Sequence, residues 1–353
     1  MNRRRALQRL GLISLLRPTL VAQPADGVDF LKHHPAFDLH CHPGNFLRRG
    51  GAGYEGDQVP ARTISEMREA GLAAAFFSIV ADGKLLSRDA KGVVVDRAFS
   101  AGEAWADCER QLTSFDDLVK REKISFASSV RQMEAFRNRG QLVAFLSCEG
   151  GDCLDGNVGR LDDLYQRGVR SFQLVHYAQN TLGDLQTQPP AYNGLSAFGR
   201  DVVRRVNRLG MVVDVAHAAF STVKATVDST TAPIVLSHSH LQSESTPHPR
   251  LITVEHARLV ASTGGVIGAW PSGFANRTFA DFVDQTMRLI DAVGVDHVGL
   301  GTDMDSNFKP VFSSYRQLPD WIAALRAKGL SEGDVAKVAG GNALRVLRQV
   351  LKT

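Results

Sequence analysis

No stretch of the 353 residues is apolar for long enough to cross a membrane as a helix. The longest apolar runs, such as Gly71 to Ala81, reach about half of the ~20 residues that a span needs. Cysteine is scarce: the four present, Cys41, Cys108, Cys148 and Cys153, include no Cys-x-x-Cys pair. That excludes a zinc ribbon and a thioredoxin-like dithiol, and four are too few for a disulfide scaffold. An oxidising compartment would permit one bridge, with its pairing open. There is no Gly-rich phosphate loop and no Gly-x-Ser-x-Gly elbow, which argues against nucleotide binding and serine-hydrolase chemistry. Internal repeats are missing too. With 44% hydrophobic and 22% charged residues, the chain reads as globular rather than disordered.

A basic body is also lacking. The formal charge of +4 rests on Arg3, Arg4, Arg5, Arg9 and Arg17, in a stretch of 25 residues without an acid. Without those five arginines, 41 basic residues become 36, against 37 acidic ones. No face for nucleic acid is expected. Arginines ahead of the short apolar run Leu10–Leu16 read as a twin-arginine-like export signal over residues 1–25, leading to a periplasmic or secreted protein. Arg17 and Pro18 cut the run short and Val21-Ala22-Gln23 is a loose cleavage site, so a basic extension on a cytoplasmic protein is the alternative. Residues 26–353 are expected to form one domain.

What the chain does have is alternation. Eight β-branched or apolar runs, Ala36–His42, Leu72–Val80, Leu142–Glu149, Val169–His176, Met211–His217, Ile234–His238, Gly265–Trp270 and His297–Asp303, are separated by amphipathic stretches such as Gly194–Leu209 and Thr278–Val293. Strands alternating with helices imply parallel βαβ units, and near-continuous apolar strands imply a sheet covered on both faces. Eight units predict an α/β fold of one (β/α)8 TIM barrel, with a doubly wound open sheet as competitor. Residues 82–141, with a helical pattern around Ala98–Val119, read as an elaborated helical crossover after strand two. Pro43–Gly56 reads as a Gly-rich loop over the mouth.

A barrel presents the C-terminal ends of its strands at one rim. Six of the eight runs end there in His, Glu or Asp: His40 and His42, Glu149, His176, His217, His238 and Asp303. Each alone is more often a satisfied polar residue; six together point to a metal site, because imidazole and carboxylate suit zinc or another first-row dication. His40, His42, Glu149, His217 and His238 exceed the three protein ligands of an open catalytic zinc site, which favours two ions bridged by Glu149 and sharing a hydroxide. His176 and Asp303 remain for transition-state and proton-transfer work. His240 competes with His238, and Asp305 with Asp303. Asp38 is expected to support the ligands from the same strand face, while Cys41 and Cys148 alternate away from the rim. Trp270 reads equally as pocket wall or core. His33 and His34 are expected exposed, and His248, His256 and His297 in loops or at element starts.

Over about residues 36–350 the chain resembles the membrane (renal) dipeptidase family of zinc peptidases. The resemblance lies in Cys148-Glu149-Gly150-Gly151, in Gly168-Val169-Arg170 leading to His176, and in Gly194-Leu195-Ser196-Ala197-Phe198-Gly199. It continues through Asn207-Arg208-Leu209-Gly210-Met211 to His217, Ser237-His238-Ser239, and His297-Val298-Gly299 to Asp303. It implies that Glu149 bridges two Zn2+ ions, that His40 and residue 42 hold one and His217 and His238 the other. It further implies that His176 contacts the scissile carbonyl, Asp303 shuttles the proton and Arg250 binds the substrate carboxylate. At position 42 the family carries Asp; this chain has His42, which removes one negative charge and leads us to expect weaker occupancy there or a changed metal preference. A dipeptide or dipeptide-like amide is the expected substrate. Other amide or lactone hydrolysis, tailoring of a peptide natural product and a non-catalytic binding barrel are the alternatives. A helical exterior is compatible with a homodimer.

Overall fold

The computed structural model describes residues 24–51, 54–89, 92–244 and 247–352. Eleven strands occur among them in chain order: β1 (Phe37–Cys41), β2 (Ala74–Val80), β3 (Leu86–Asp89), β4 (Gly92–Val95), β5 (Ser125–Phe126), β6 (Val143–Glu149), β7 (Val169–Gln173), β8 (Val212–Asp214), β9 (Val235–Ser239), β10 (Val266–Ala269) and β11 (Val298–Leu300). Eight of them, β1, β2 and β6 to β11, pair in sequence as parallel neighbours, and β11 returns to β1, so the sheet closes into a barrel. This is the (β/α)8 barrel that the alternation predicts; closure rules out the open sheet. The longest ladder joins β2 to β6 from Ala74↔Val143 to Val80↔Glu149, and so fixes the height of Glu149.

One end of the barrel is filled. Phe37, Phe76 and Phe145 meet with ring centroids 5.4–5.7 Å apart. Leu344 and Leu347 of the helix Asn342–Val350 close the cluster from below. Each such ring withdrawn from water contributes about 1.5–3 kcal/mol. Close strand packing needs two glycines near the other end: a Cβ at Gly268 or Gly301 would lie 1.9 Å from the Ser237 carbonyl oxygen. The strands carrying His238 and Asp303 could not otherwise converge.

The crossover after β2 is more elaborate than the sequence suggests. Its helices are Glu103–Arg121 and Val130–Arg137, but it also holds the antiparallel hairpin β3–β4 and the short β5 beside β6. The helix Glu103–Arg121 buries Cys108, Gln111, Leu112, Phe115 and Leu118, one stripe at helical spacing. Gln111 both donates to the Val80 carbonyl and accepts from its N–H at 2.8 Å, pinning the helix to the end of β2. Pro43–Arg48 forms a 3-10 turn at the mouth.

The leader expected over residues 1–25 lies outside the described residues except at its end, where the helix Pro24–His33 begins; the boundary drawn at residue 25 falls within that helix. No described helix is long and apolar enough to cross a membrane. All four cysteines are buried and free, Cys148 and Cys153 with sulfurs 3.9 Å apart.

Candidate metal centre

Several strands are shorter than their apolar runs, because the chain leaves the ladder before the residues that matter. His176 lies three positions beyond β7, His217 three beyond β8 and Asp303 three beyond β11. His217 and Asp303 hold φ of 65° and 53°. Such left-handed conformations strain residues other than glycine and cluster at functional sites. They turn both side chains over the barrel mouth.

There the side chains converge on Glu149. One group is His40, His42 and Glu149; the other is Glu149, His217 and His238; within each, all donor atoms lie within 4.8 Å of one another. The Nε2 atoms of His40 and His42 are 3.0 Å apart and those of His217 and His238 3.1 Å. Glu149 Oε1 is 3.4 Å from the Nε2 of His40, His176 and His217, and Oε2 is 3.4 Å from that of His42. At that distance the two rings of a pair either share one proton or turn both lone pairs toward a cation. A dication fits this donor set, and a carboxylate shared by two histidine pairs fits two. His42 Nδ1 donates to the Ser78 carbonyl at 3.0 Å and His238 Nδ1 meets Ser237 Oγ at 3.0 Å, which aims both Nε2 atoms inward.

Charge separates the two pairs. Burial, then Arg250 and His176, hold His217 well below the usual imidazole range. Burial, then His40 and His217, do the same to His238, so that pair is neutral and ready to ligate. Burial opposes protonation of His42 as well, yet Asp303 and Glu149 push it up to about 10. Against burial, His176 and His40 hold Glu149 well below the carboxylate range.

The alternatives resolve by distance. His240 is fully buried against Phe282, both ring nitrogens unpartnered, and belongs to neither group. Asp305 accepts from Gly44 N at 2.5 Å and Thr63 Oγ1 at 2.6 Å, which ties down the mouth turn. Asp303 instead faces the cluster, 3.3 Å from His42 Nε2. Asp38 corrects a simple alternation. The β1–β2 register shifts between Asp38 and Cys41, and the Asp38 carboxylate accepts from Thr302 and Tyr315 and from the His40 N–H, so it fastens backbone rather than a ligand ring. His34 is half-buried against Glu332 rather than exposed, and His256 is buried in the first turn of its helix.

Arg250 is buried beneath Trp270, its guanidinium carbon 5.2 Å from the ring centre. One amino group donates to Gln186 and the Tyr177 hydroxyl stands beside the guanidinium, while among the described residues Nε and Nη2 find no well-aligned acceptor. An unpartnered guanidinium edge in a buried setting fits a carboxylate. It lines a cavity of ≈ 980 Å³ together with Glu149, His176, His217, Trp270 and Asp303.

One residue of this centre escapes the strand-end reading. Asp82, two positions after β2 and fully buried, accepts from His176 Nδ1 at 2.6 Å and from the backbone N–H groups of Tyr177 and Ala178 at 3.0 and 2.8 Å. It sets both the ring and the loop of His176. Its offset past the strand end resembles those of His176, His217 and Asp303, and that was the available signal.

A closed parallel barrel that gathers two histidine pairs around one carboxylate at its C-terminal rim places the chain in the class of α/β barrels with a candidate metal centre at the mouth. The sequence profile of the membrane dipeptidases (peptidase family M19) matches residues 26–353. The chain belongs to that family. Among curated relatives, the dipeptidase tcpJ of Claviceps purpurea is 32% identical over 62% of this chain and 53% of its own length. The dipeptidase aclJ of Aspergillus oryzae is 31% identical over 64% and 56%. The chain thus spans about half the length of these curated relatives. The fold is that of the probable dipeptidase PvdM from Pseudomonas aeruginosa, with a TM-score of 0.80 at 19% identity over 95% of this chain and 99% of that one. It is likewise that of a metallo peptidase from Rhodobacter sphaeroides liganded with a phosphinate mimic of L-Ala-D-Ala, with a TM-score of 0.77 at 21% identity over 90% and 99%.

Proposed function

We propose that the protein is a zinc-dependent hydrolase of dipeptides or small dipeptide-like amides. The observation that carries the reading is the presence, in one cavity, of a carboxylate shared by two histidine pairs and a buried, unpartnered guanidinium edge. His217, His238 and Glu149 would hold one ion, and His40, His42 and Glu149 a second. Zinc bound there supplies Lewis acidity and, from water, a hydroxide nucleophile at neutral pH.

The chain's own residues do the rest. Arg250 takes the substrate carboxylate on Nε and Nη2, which fixes the register of the amide over the cluster. His176, with Asp82 on Nδ1, presents Nε2 to the carbonyl oxygen and donates to it as negative charge develops. Asp303 is close enough to the cluster to take a proton from the attacking water and return it to the leaving amine. The buried walls keep bulk water from competing with these contacts.

His42 gives the second ion position four imidazoles and one carboxylate to share with the first, and the proton that His42 carries must leave before metal enters. We therefore assign the lower occupancy to the His40/His42 position. Residues 1–25 are proposed as an export leader for the domain that follows.

The test is hydrolysis of a small panel of L,L- and L,D-dipeptides by the protein lacking residues 1–23, with zinc added and with chelator, reading free amino acids. Cleavage that chelator abolishes and zinc restores is expected. A folded, metal-loaded protein that releases no amino acid from any of them would overturn the dipeptidase reading.

A further inference from the structure

The cavity is larger than a plain dipeptide needs. At ≈ 980 Å³ it stands at the upper end of the about 300–1,000 Å³ typical for drug-sized ligands. The hairpin β3–β4 and the start of the helix Glu103–Arg121 supply one part of its lining.

Barrel order says which part of a substrate reaches that side. Arg250 is tied to the end of β9, its carbonyl accepting from Ser239 Oγ at 2.9 Å. Around the ring, β9 stands four strands from β2 in either direction, so the two are diametrically opposed. The hairpin emerges after β2. A dipeptide with its carboxylate on Arg250 and its amide over Glu149 directs its N-terminal residue toward the hairpin.

The chemistry of that wall is mixed. Leu86 and Val93, on one face of the hairpin, offer half-buried apolar surface. Four cations also line the cavity, Arg48, Lys84, Arg97 and Arg110, against two carboxylates, Glu103 and Asp107. Arg97 is bound to Glu103 and Arg110 to Asp107, while Lys84 stands 3.7 Å from Asp107 and 4.0 Å from Glu103. Arg48 is exposed and forms no ion pair with a carboxylate among the described residues. The described wall thus carries an excess of two positive charges.

We infer that this wall is a specificity subsite for the N-terminal residue, selecting a long side chain with an apolar stem and an anionic end, as in a glutamyl dipeptide. The inference rests on the dipeptidase reading and adds the substrate class to it. Arg97 and Lys84, each about half exposed at 46% and 44%, act at the rim and take no part in metal binding or bond cleavage.

The test compares kcat/KM for L-Glu-L-Ala, L-Met-L-Ala and L-Lys-L-Ala at low and high salt. The expected order is Glu, then Met, then Lys, with about tenfold or more between Glu and Lys at low salt and a smaller ratio at high salt, since half-exposed charges are screened. In the double variant Lys84→Gln, Arg97→Gln that ratio should fall toward one while the Met substrate keeps its rate. A Lys substrate cleaved as well as the Glu one, or a ratio unmoved in the double variant, overturns the subsite. Cleavage of none of the three overturns the dipeptidase reading instead. Thermal shifts with the same peptides then still decide the subsite: the Glu peptide must stabilise the protein most, and less so in the double variant.

Discussion

Substitution of Asp82 separates its structural from its functional work. Its carboxylate receives three donors, His176 Nδ1 and the N–H groups of Tyr177 and Ala178, all away from water. Asp82→Ala would leave all three unpaired, at about 1–3 kcal/mol each, or ~3–9 kcal/mol against a typical total stability of ~5–15. That variant should be barely folded. Asp82→Asn keeps the shape, and its one oxygen can still serve the two backbone donors. Its amide N–H2 then faces His176 Nδ1, which must accept and so give up its proton. In the native protein burial favours neutral His176, but Asp82 and Glu149 raise its pKa above 6.5. The imidazolium therefore persists to higher pH, and activity that needs it falls as pH rises through that raised pKa. In Asp82→Asn the falling limb should move to lower pH, and kcat should drop by about 10²–10³ with KM within about threefold. The assay is dipeptide hydrolysis from about pH 5 to 9, with thermal unfolding alongside. A folded Asp82→Asn protein with unchanged kcat and an unmoved limb would refute the argument.

Metal analysis after gel filtration should find about one tight ion per chain, rising toward two in His42→Asp; two tight ions in the unaltered protein would reject the role given to His42. Because Asp303 and Glu149 favour the protonated form of His42, which metal must displace, occupancy of its position should increase as pH rises, which titration with metal at several pH values would show. Arg250→Lys should raise KM roughly 30-fold, about 2 kcal/mol, with little change in kcat, since a lysine cannot bind a carboxylate through two parallel N–H groups; an unchanged KM argues for a different anchor. Burial lowers His240 to about 3 from 6.5. The unfolded chain binds that proton first, so stability is full above pH 6.5 and is lost as pH falls toward 3, by about 5 kcal/mol in total. His240→Phe should flatten this acid limb in urea unfolding curves, and an unaltered limb would place the loss elsewhere.

Strand ends carried most of the information in the sequence. Glu149 and His238 sit on ladders whose apolar runs and polar termini are plain in the chain, and His40 and His42 keep their shared direction. His176, His217 and Asp303 were legible as residues, but the left-handed turns at His217 and Asp303 were not, because nothing local announces them. Asp82 was hidden by being counted with the insertion it begins rather than the strand it follows. The hairpin β3–β4 was hidden for another reason: a charged Ser87–Lys91 segment between Leu86 and Val93–Val95 has neither a helical nor a clean two-residue period. Asp38 was misplaced because a register shift reverses the alternation on which its side had been inferred.

The phenylalanine cluster and the helix Asn342–Val350 stop up one end of the barrel, so that among the described residues the candidate site is reached from the other. On the proposed dipeptidase reading, both amino acids would depart through the mouth by which the next substrate arrives, so traffic there, rather than bond cleavage, would limit turnover when product accumulates. The same arrangement makes a seated dipeptide analogue a stopper for the ions below it. Loss of metal to a chelator should slow in its presence.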